Sequence, residues 1–69
     1  METIQLRDEF IKLGQALKAA NLVESGVMAK EVIQNGEVLV NGEVDLRRGR
    51  KLYDGDIVSF DGEDILIIK

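Results

Sequence analysis

The spacing of the apolar residues changes near Gly36, and this change constrains the fold more than any other feature of the chain. Before it, Leu13, Ala16, Leu17 and Ala20 recur with the roughly 3.6-residue period of a helix. After it, apolar and polar residues alternate in short runs, as they do in strands. Because the chain has only 69 residues, this order predicts one small α+β domain. We expect two short consecutive helices packed on a small twisted, mainly antiparallel sheet.

The second helix has sequence signals at both ends. Ser25 predicts its start, because a serine hydroxyl at that position accepts hydrogen bonds from the free N–H groups of the first turn. Asn35-Gly36 predicts its end, because glycine readily takes the left-handed conformation that closes a helix. We expect four apolar residues of this helix to face the core, namely Val27, Met28, Val32 and Ile33.

The strands are separated by turn residues. Asn41-Gly42 between two alternating runs is the strongest hairpin signal that a short segment offers. Further turns are predicted at residues 54–56 and 61–64, where Asp and Gly cluster. The predicted strands are Val38–Val40, Val44–Leu46, Ile57–Phe60 and Ile65–Ile68.

The first dozen residues leave two alternatives open. Thr3–Leu6 alternates weakly, and Glu9–Leu13 is interpreted as pairing back with it in a short hairpin, with a strand over Phe10–Lys12. In the alternative, a helix begins at Asp8.

The chain contains neither cysteine nor histidine, which excludes several classes of site. Disulfides, the common zinc sites, catalytic triads and Cys–His dyads all need one of these residues. No apolar run approaches the roughly 18 residues of a membrane span, and the N-terminus lacks the layout of a signal peptide. We therefore expect a cytoplasmic protein that is not an enzyme, with no cofactor, membrane or small-molecule substrate.

Acidic residues cluster in the predicted turns, and their carboxylates raise the alternative of a divalent-cation site. Asp54 with Asp56, and Asp61 with Glu63 and Asp64, offer the oxygen ligands that such ions prefer. However, turns favour Asp and Gly for backbone reasons, and no nucleophile-and-base pair accompanies them. We expect no metal site and no catalytic residue here.

The net charge is −4, yet the cations are concentrated. Four of the nine lie within five residues, at Arg47, Arg48, Arg50 and Lys51. Because a polyanion responds to the local field rather than to the total charge, this run is a candidate anion site. The alternative is a solvated turn whose cations pair with Asp45, Asp54 or Asp56.

Several segments in order resemble one known family. They are residues 13–18, Val23-Glu24-Ser25-Gly26 with Ala29-Lys30, Gly36–Glu43, Arg47-Arg48-Gly49-Arg50-Lys51-Leu52 and Gly55–Val58. Together they resemble the S4-type RNA-binding domain, also called the alpha-L RNA-binding motif, and in particular the small stand-alone bacterial proteins made of this domain. The resemblance implies that residues 1–69 form a single domain. The segments that match the family most clearly lie within about residues 13–60.

The resemblance implies a non-catalytic module that recognises structured RNA, of the ribosomal or transfer class, as a ribosome-associated monomer or within a ribonucleoprotein. A two-helix face and a small basic loop would contact phosphates. Carried over to this sequence, the RNA-binding residues are Lys18, Ser25, Lys30, Asn41, Gly42, Arg47, Arg48, Arg50 and Lys51. Ser25 also serves as a helix cap, and Asn41-Gly42 is first a hairpin turn.

Aromatic residues are scarce, which favours one mode of RNA recognition. Only Phe10, Tyr53 and Phe60 are present, and Phe60 is expected in the core. Since single-stranded bases stack on exposed aromatic rings, we expect recognition of shape and phosphates instead. The alternative function is a protein-interaction module that uses the acidic surface or an open sheet edge at Ile65–Ile68.

Overall fold

The computed structural model describes all 69 residues and contains two helices and seven strands. The helices are α1 (Leu13–Ala19) and α2 (Gly26–Gln34). The strands are β1 (Glu2–Gln5), β2 (Ile11–Lys12), β3 (Val38–Val40), β4 (Glu43–Val44), β5 (Lys51–Leu52), β6 (Ile57–Phe60) and β7 (Glu63–Ile68). Neither helix is long and apolar enough to cross a membrane.

Five of the strands form one mixed sheet in the order β1-β7-β6-β3-β4. Neighbouring strands are antiparallel except β1, which runs parallel to β7. Strands β2 and β5 form a separate antiparallel ladder, in which Ile11 lies opposite Leu52 and Lys12 opposite Lys51. The predicted architecture of two helices on a mainly antiparallel sheet is confirmed.

One apolar cluster of 13 buried residues joins the helices to the sheet. The helical segment contributes Leu13, Ala16, Leu17, Val23, Ala29 and Ile33, and the strands contribute Val38, Val40, Leu52, Val58, Phe60, Ile65 and Ile67. Burying a Val, Leu, Ile or Phe side chain is worth about 1.5–3 kcal/mol. The core therefore fixes how the helices sit on the sheet, and with them the surface that they present.

The N-terminal hairpin predicted above is wrong, and so is the helix from Asp8. Strand β1 pairs with β7 instead, with Ile4 opposite Ile67, and the Leu6 N–H donates to the Ile68 carbonyl at 2.6 Å. Strand β2 lies at the predicted place but pairs with β5. The pairing with β7 satisfies backbone groups along a strand whose Ile65 and Ile67 are fully buried.

The expectation of an open edge at the last strand is also wrong. Strand β7 lies between β1 and β6, and both of its sides are hydrogen-bonded. The edges of the sheet are β1 and the two-residue strand β4. A strand-addition site at Ile65–Ile68 therefore does not exist in this fold.

The inward face of α2 differs from the prediction. Ile33 is fully buried and Val32 is half-buried, as expected, but Val27 is 69% exposed and Met28 42% exposed. Ala29 takes the remaining core position. It lies four residues before Ile33, on the same side of the helix, whereas Val27 lies on the opposite side.

The central hairpin forms at the predicted turn but has a shorter second strand. Asn41 and Gly42 have φ values of 52° and 84°, as a tight two-residue turn with two left-handed positions requires. Strand β4 ends at Val44 rather than at Leu46. Asp45 still donates its N–H to the Val38 carbonyl, at 3.1 Å, and there the chain leaves the sheet.

Candidate nucleic-acid interface

The basic loop, residues 45–51, is held against the N-terminus of α1. The Leu13 N–H donates to the Arg50 carbonyl at 2.8 Å, and the Gly14 N–H donates to the Arg48 carbonyl at 3.0 Å. These two donors of the first helical turn would otherwise lack partners. The loop backbone is thus fixed relative to α1, and its side chains extend from a defined position.

Asp45 connects two arginines of the basic loop. Its Oδ1 accepts from the N–H of Arg47 at 2.9 Å and from Nε of Arg47 at 3.1 Å. Its Oδ2 accepts from Nη2 of Arg47 and from Nη1 of Arg50, both at 2.8 Å. The Asp45 side chain is 5% exposed. The hydrogen bond from the Arg47 guanidinium, with that from Arg50, holds the pKa of this carboxyl well below its usual range despite burial, so Asp45 is ionised at neutral pH.

This arrangement neutralises only part of the loop. The alternative of a neutralised turn required the loop cations to pair with Asp45, Asp54 or Asp56. Asp45 pairs with them, while Asp54 and Asp56 do not. Arg48 and Lys51 have no carboxylate within 4.0 Å. Four cations therefore face one carboxylate, and the loop keeps a positive field.

A cationic cavity of about 340 Å³ lies between the loop and the two helices. Three basic side chains line it and no acidic one does. The lining residues are Lys12, Gly14, Gln15, Lys18, Gly26, Ala29, Arg48 and Gly49. Gly14 makes room for Arg48, because a Cβ at position 14 would lie 2.8 Å from Cγ of Arg48. The cavity can accept an anion close to the backbone.

The N-terminus of α2 borders the same cavity through Gly26. Ser25 caps this helix as predicted, since its Oγ accepts from the Met28 N–H at 3.1 Å. The N–H groups of Gly26 and Val27 have no acceptor within the protein. A helix N-terminus carries a partial positive charge, so this end of α2 adds to the positive field of the cavity.

A second, open depression of about 440 Å³ adjoins the cationic cavity. Its lining residues are Arg47, Gly49, Arg50 and Lys51, and Gly49 belongs to both. Lys30 is exposed one helical turn beyond Gly26 and extends the basic surface along α2. Seven of the nine predicted RNA-binding residues thus lie on or beside one surface. Their contact with RNA stays a prediction.

Asn41 and Gly42 are not brought to this surface. They line neither depression, and their turn is at the opposite end of the β3–β4 hairpin from Asp45. The Asn41 side chain donates to Oδ1 of Asp56 at 3.0 Å and accepts from the Ile57 N–H at 2.9 Å. Its amide therefore joins two turns of the protein.

Three polar or charged residues at this surface were not assigned to it from the sequence: Lys12, Gln15 and Asp45. Gln15 could have been found, because it lies three residues before Lys18 and shares its side of α1. Lys12 reaches the surface through the pairing of β2 with β5, for which the sequence has no local signal. Asp45 was considered only as a carboxylate that neutralises the loop.

Three carboxylates of the acidic turns accept hydrogen bonds from within the protein. Asp54 accepts from the Lys69 N–H, Asp56 from the Tyr53 N–H and Asp64 from the Ser59 hydroxyl. No group of three or more His, Cys, Asp or Glu residues is placed to hold a metal ion.

Comparison with known proteins gives consistent matches. The sequence model of the S4 domain family matches residues 4–68 of this chain. A Bacillus subtilis (strain 168) protein named "Probable ribosome maturation protein RlbA" is 54% identical over 59 residues, covering 86% of this chain and 83% of the relative. The YbcJ protein of Escherichia coli (strain K12) is 36% identical over 58 residues, covering 84% and 83%.

The solution structure of E. coli YbcJ is similar over the full length of this chain. It is described as revealing an alfaL motif involved in RNA binding. The TM-score is 0.76 at 34% sequence identity, and the match covers 100% of this chain and 89% of the YbcJ chain.

Proposed function

This chain belongs to the S4 domain family, and from that premise we propose that it is a non-catalytic module that binds structured RNA through phosphate and shape contacts. Ribosomal RNA is the first candidate, because a relative with 54% identity is named for ribosome maturation. Transfer RNA is the second. The description of YbcJ as carrying a motif involved in RNA binding supports the same class of ligand.

The cationic cavity is the observation that carries this proposal. Lys12, the N-cap of α1, and Lys18 of the same helix line it together with Arg48 of the basic loop, with no carboxylate among the lining residues. Like charges brought together without a counter-ion repel one another, and a phosphate group relieves that repulsion. Arginine binds phosphate oxygens through a planar fork, and lysine acts as a point charge.

The neighbouring depression extends the contact to further phosphates. Arg47 is held by Asp45, yet its side chain remains 71% exposed, so it retains donors for an RNA backbone. With about four to six phosphate contacts, the logarithm of affinity falls with the logarithm of salt at a slope of about −3 to −5. RNA of regular helical shape suits a surface built from a rigid loop and two helices.

A pair of charge-matched variants tests the proposal. Arg48→Gln removes an unpaired cation of the cavity, and Arg7→Gln removes an exposed cation from the β1–β2 connection, outside both depressions. Binding to a folded ribosomal RNA fragment and to transfer RNA is titrated at several salt concentrations. We expect Arg48→Gln to weaken binding and to reduce the salt slope by about 1, and Arg7→Gln to have a much smaller effect.

The same titrations can contradict the proposal that the cationic cavity binds RNA. Equal losses in the two variants would mean that only total charge matters, and the cavity would lose its role. Wild-type protein that binds neither RNA at low salt would contradict RNA binding altogether. Circular dichroism of each variant first establishes that it is folded.

A further inference from the structure

One face of the β2–β5 ladder combines aromatic and basic side chains. Its inner face consists of Ile11, which packs on the core, and Leu52, which is fully buried. The register that pairs these two residues places Phe10 across from Tyr53 and Lys12 across from Lys51 on the outer face. We call these four residues the ribbon face.

The side chains of the ribbon face contact one another. The rings of Phe10 and Tyr53 lie 6.1 Å apart between centroids, with 56° between their planes. Nζ of Lys51 lies 4.8 Å from the centroid of the Phe10 ring, within the range of a cation–π interaction. Tyr53 is nevertheless 48% exposed. Phe10 therefore contacts the Tyr53 ring on one side, while Tyr53 as a residue remains exposed to solvent.

The two lysines of the ribbon face repel each other in the absence of a counter-ion. Lys12 and Lys51 lie directly across the ladder from each other, and neither has a carboxylate within 4.0 Å. Like charges directly opposite destabilise a strand pair. A bound anion would remove this repulsion, and Lys12 lines the cationic cavity while Lys51 lines the second depression. The ribbon face is thus continuous with the proposed phosphate-binding surface.

We infer that the ribbon face is a stacking site for an unpaired RNA base next to a helical segment, with the base on the Tyr53 ring and its neighbouring phosphates at Lys12 and Lys51. Stacking on an aromatic ring is tolerant of sequence, because every base has a π-face. The protein would then prefer a helix that ends in, or is interrupted by, an unpaired nucleotide. This inference rests on the proposed RNA-binding function and names a feature of the RNA that it recognises.

The test compares two RNAs: a blunt-ended duplex, and the same duplex with one unpaired adenosine at a 3′ end. We expect wild-type protein to bind the second RNA about 5- to 10-fold more tightly, near the lower end of base–aromatic stacking. The chain has one tyrosine and no tryptophan, so its intrinsic fluorescence reports on Tyr53 alone. We expect the unpaired adenosine, and not the blunt duplex, to quench that emission.

Three substitutions separate stacking from folding. Tyr53→Leu should abolish the preference for the unpaired base and leave binding of the blunt duplex within about 2-fold, because the phosphate contacts remain. Tyr53→Phe keeps the ring and should keep the preference. Phe10→Leu, which removes the supporting ring, should reduce it and serves as the second variant if Tyr53→Leu fails to fold.

The outcomes distinguish this inference from the function on which it rests. If wild-type protein binds both RNAs equally and Tyr53 emission does not change, the stacking site is wrong while RNA binding stands. If Tyr53→Leu keeps the preference, the base is bound elsewhere and the inference is equally wrong. If wild-type protein binds neither RNA at low salt, both the proposed function and the stacking site fall.

Discussion

Asp45 is the residue on which the shape of the basic loop depends. It lies almost fully buried at the end of β4 and accepts four hydrogen bonds from Arg47 and Arg50. Hydrogen bonds to an ionised partner are stronger than neutral ones. A buried carboxylate that fixes two arginines determines where their guanidinium groups can reach, so this acidic residue contributes to a cationic surface by positioning it.

Replacing Asp45 by Asn should destabilise the protein. We expect Asp45→Asn to lower the free energy of unfolding by about 1–3 kcal/mol at neutral pH, since charge-assisted hydrogen bonds to both arginines are lost or weakened. Urea unfolding monitored by circular dichroism measures this change. Asp8→Asn is the matched control, because Asp8 is exposed and has no hydrogen-bond partner among the side chains; it should leave stability within about 0.5 kcal/mol of wild type.

The lowered pKa of the Asp45 carboxyl makes the free energy of unfolding depend on pH. The pKa of Asp45 is lowered in the folded state, whereas an Asp in the unfolded chain has a pKa of about 3.9. Below that pH the unfolded state binds a proton that the folded state does not, so this contribution to stability is lost as pH falls. The difference in unfolding free energy between wild type and Asp45→Asn should therefore narrow below about pH 4. A constant difference would contradict the role of the ionised carboxylate.

At the scale of elements, α2 has two separable functions at one end. Ser25 completes the first turn through the Met28 N–H, and Gly26, whose own N–H is free, lines the cationic cavity. A cap stabilises the helix whether or not a ligand is present. A field that attracts phosphate acts only on binding. Substitutions of different charge at position 25 can tell these effects apart.

Ser25→Asp should mainly lower RNA affinity, whereas Ser25→Ala should mainly lower stability. Aspartate is as good a cap as serine, so Ser25→Asp should retain stability, but its negative charge next to the cavity should weaken RNA binding about 3- to 10-fold at low salt. Ser25→Ala should cost about 0.5–2 kcal/mol of stability and change RNA affinity less than the aspartate does. Thermal unfolding and RNA titration of the two variants provide the comparison; unchanged binding by Ser25→Asp would place the phosphates elsewhere.

At the scale of the whole molecule, the N-terminal strand completes the sheet. Strand β1 covers the outer side of β7, whose Ile65 and Ile67 are fully buried, and Ile4 of β1 packs against the core. An exposed strand edge with apolar residues is a site for pairing with another chain. Strand β1 therefore both adds apolar burial and blocks association through β7.

Deleting residues 1–5 tests this role. We expect the shortened chain to unfold at a lower urea concentration and to associate in a concentration-dependent way through the freed edge of β7, as measured by urea titration and size-exclusion chromatography. Thr3→Ala is the control, because Thr3 is exposed on the same strand and its replacement leaves the backbone pairing with β7 intact. A shortened chain as stable and as dispersed as the full one would show that β1 is dispensable.

Local sequence signals predicted the parts of the fold that depend on neighbouring residues. The stripe of Leu13, Ala16 and Leu17 forms α1, Ser25 caps α2, and Asn41-Gly42 forms the hairpin turn. These features follow from side-chain period and from the backbone conformations that single residues favour. The cluster of basic residues at 47–51 was likewise visible, because charge is a property of the sequence itself.

Only the tertiary structure decided which distant segments meet. Nothing near Phe10 or Lys12 in the sequence indicates that they pair with residues 51–53, because each strand of that ladder has only two residues. The partner of β7 and the outward position of Val27 were missed for the same reason. Such pairings are selected by burial and backbone hydrogen bonding summed over the whole domain. This long-range selection brings Lys12 to the cationic cavity and the two aromatic rings together, so it also determines the surface proposed to bind RNA.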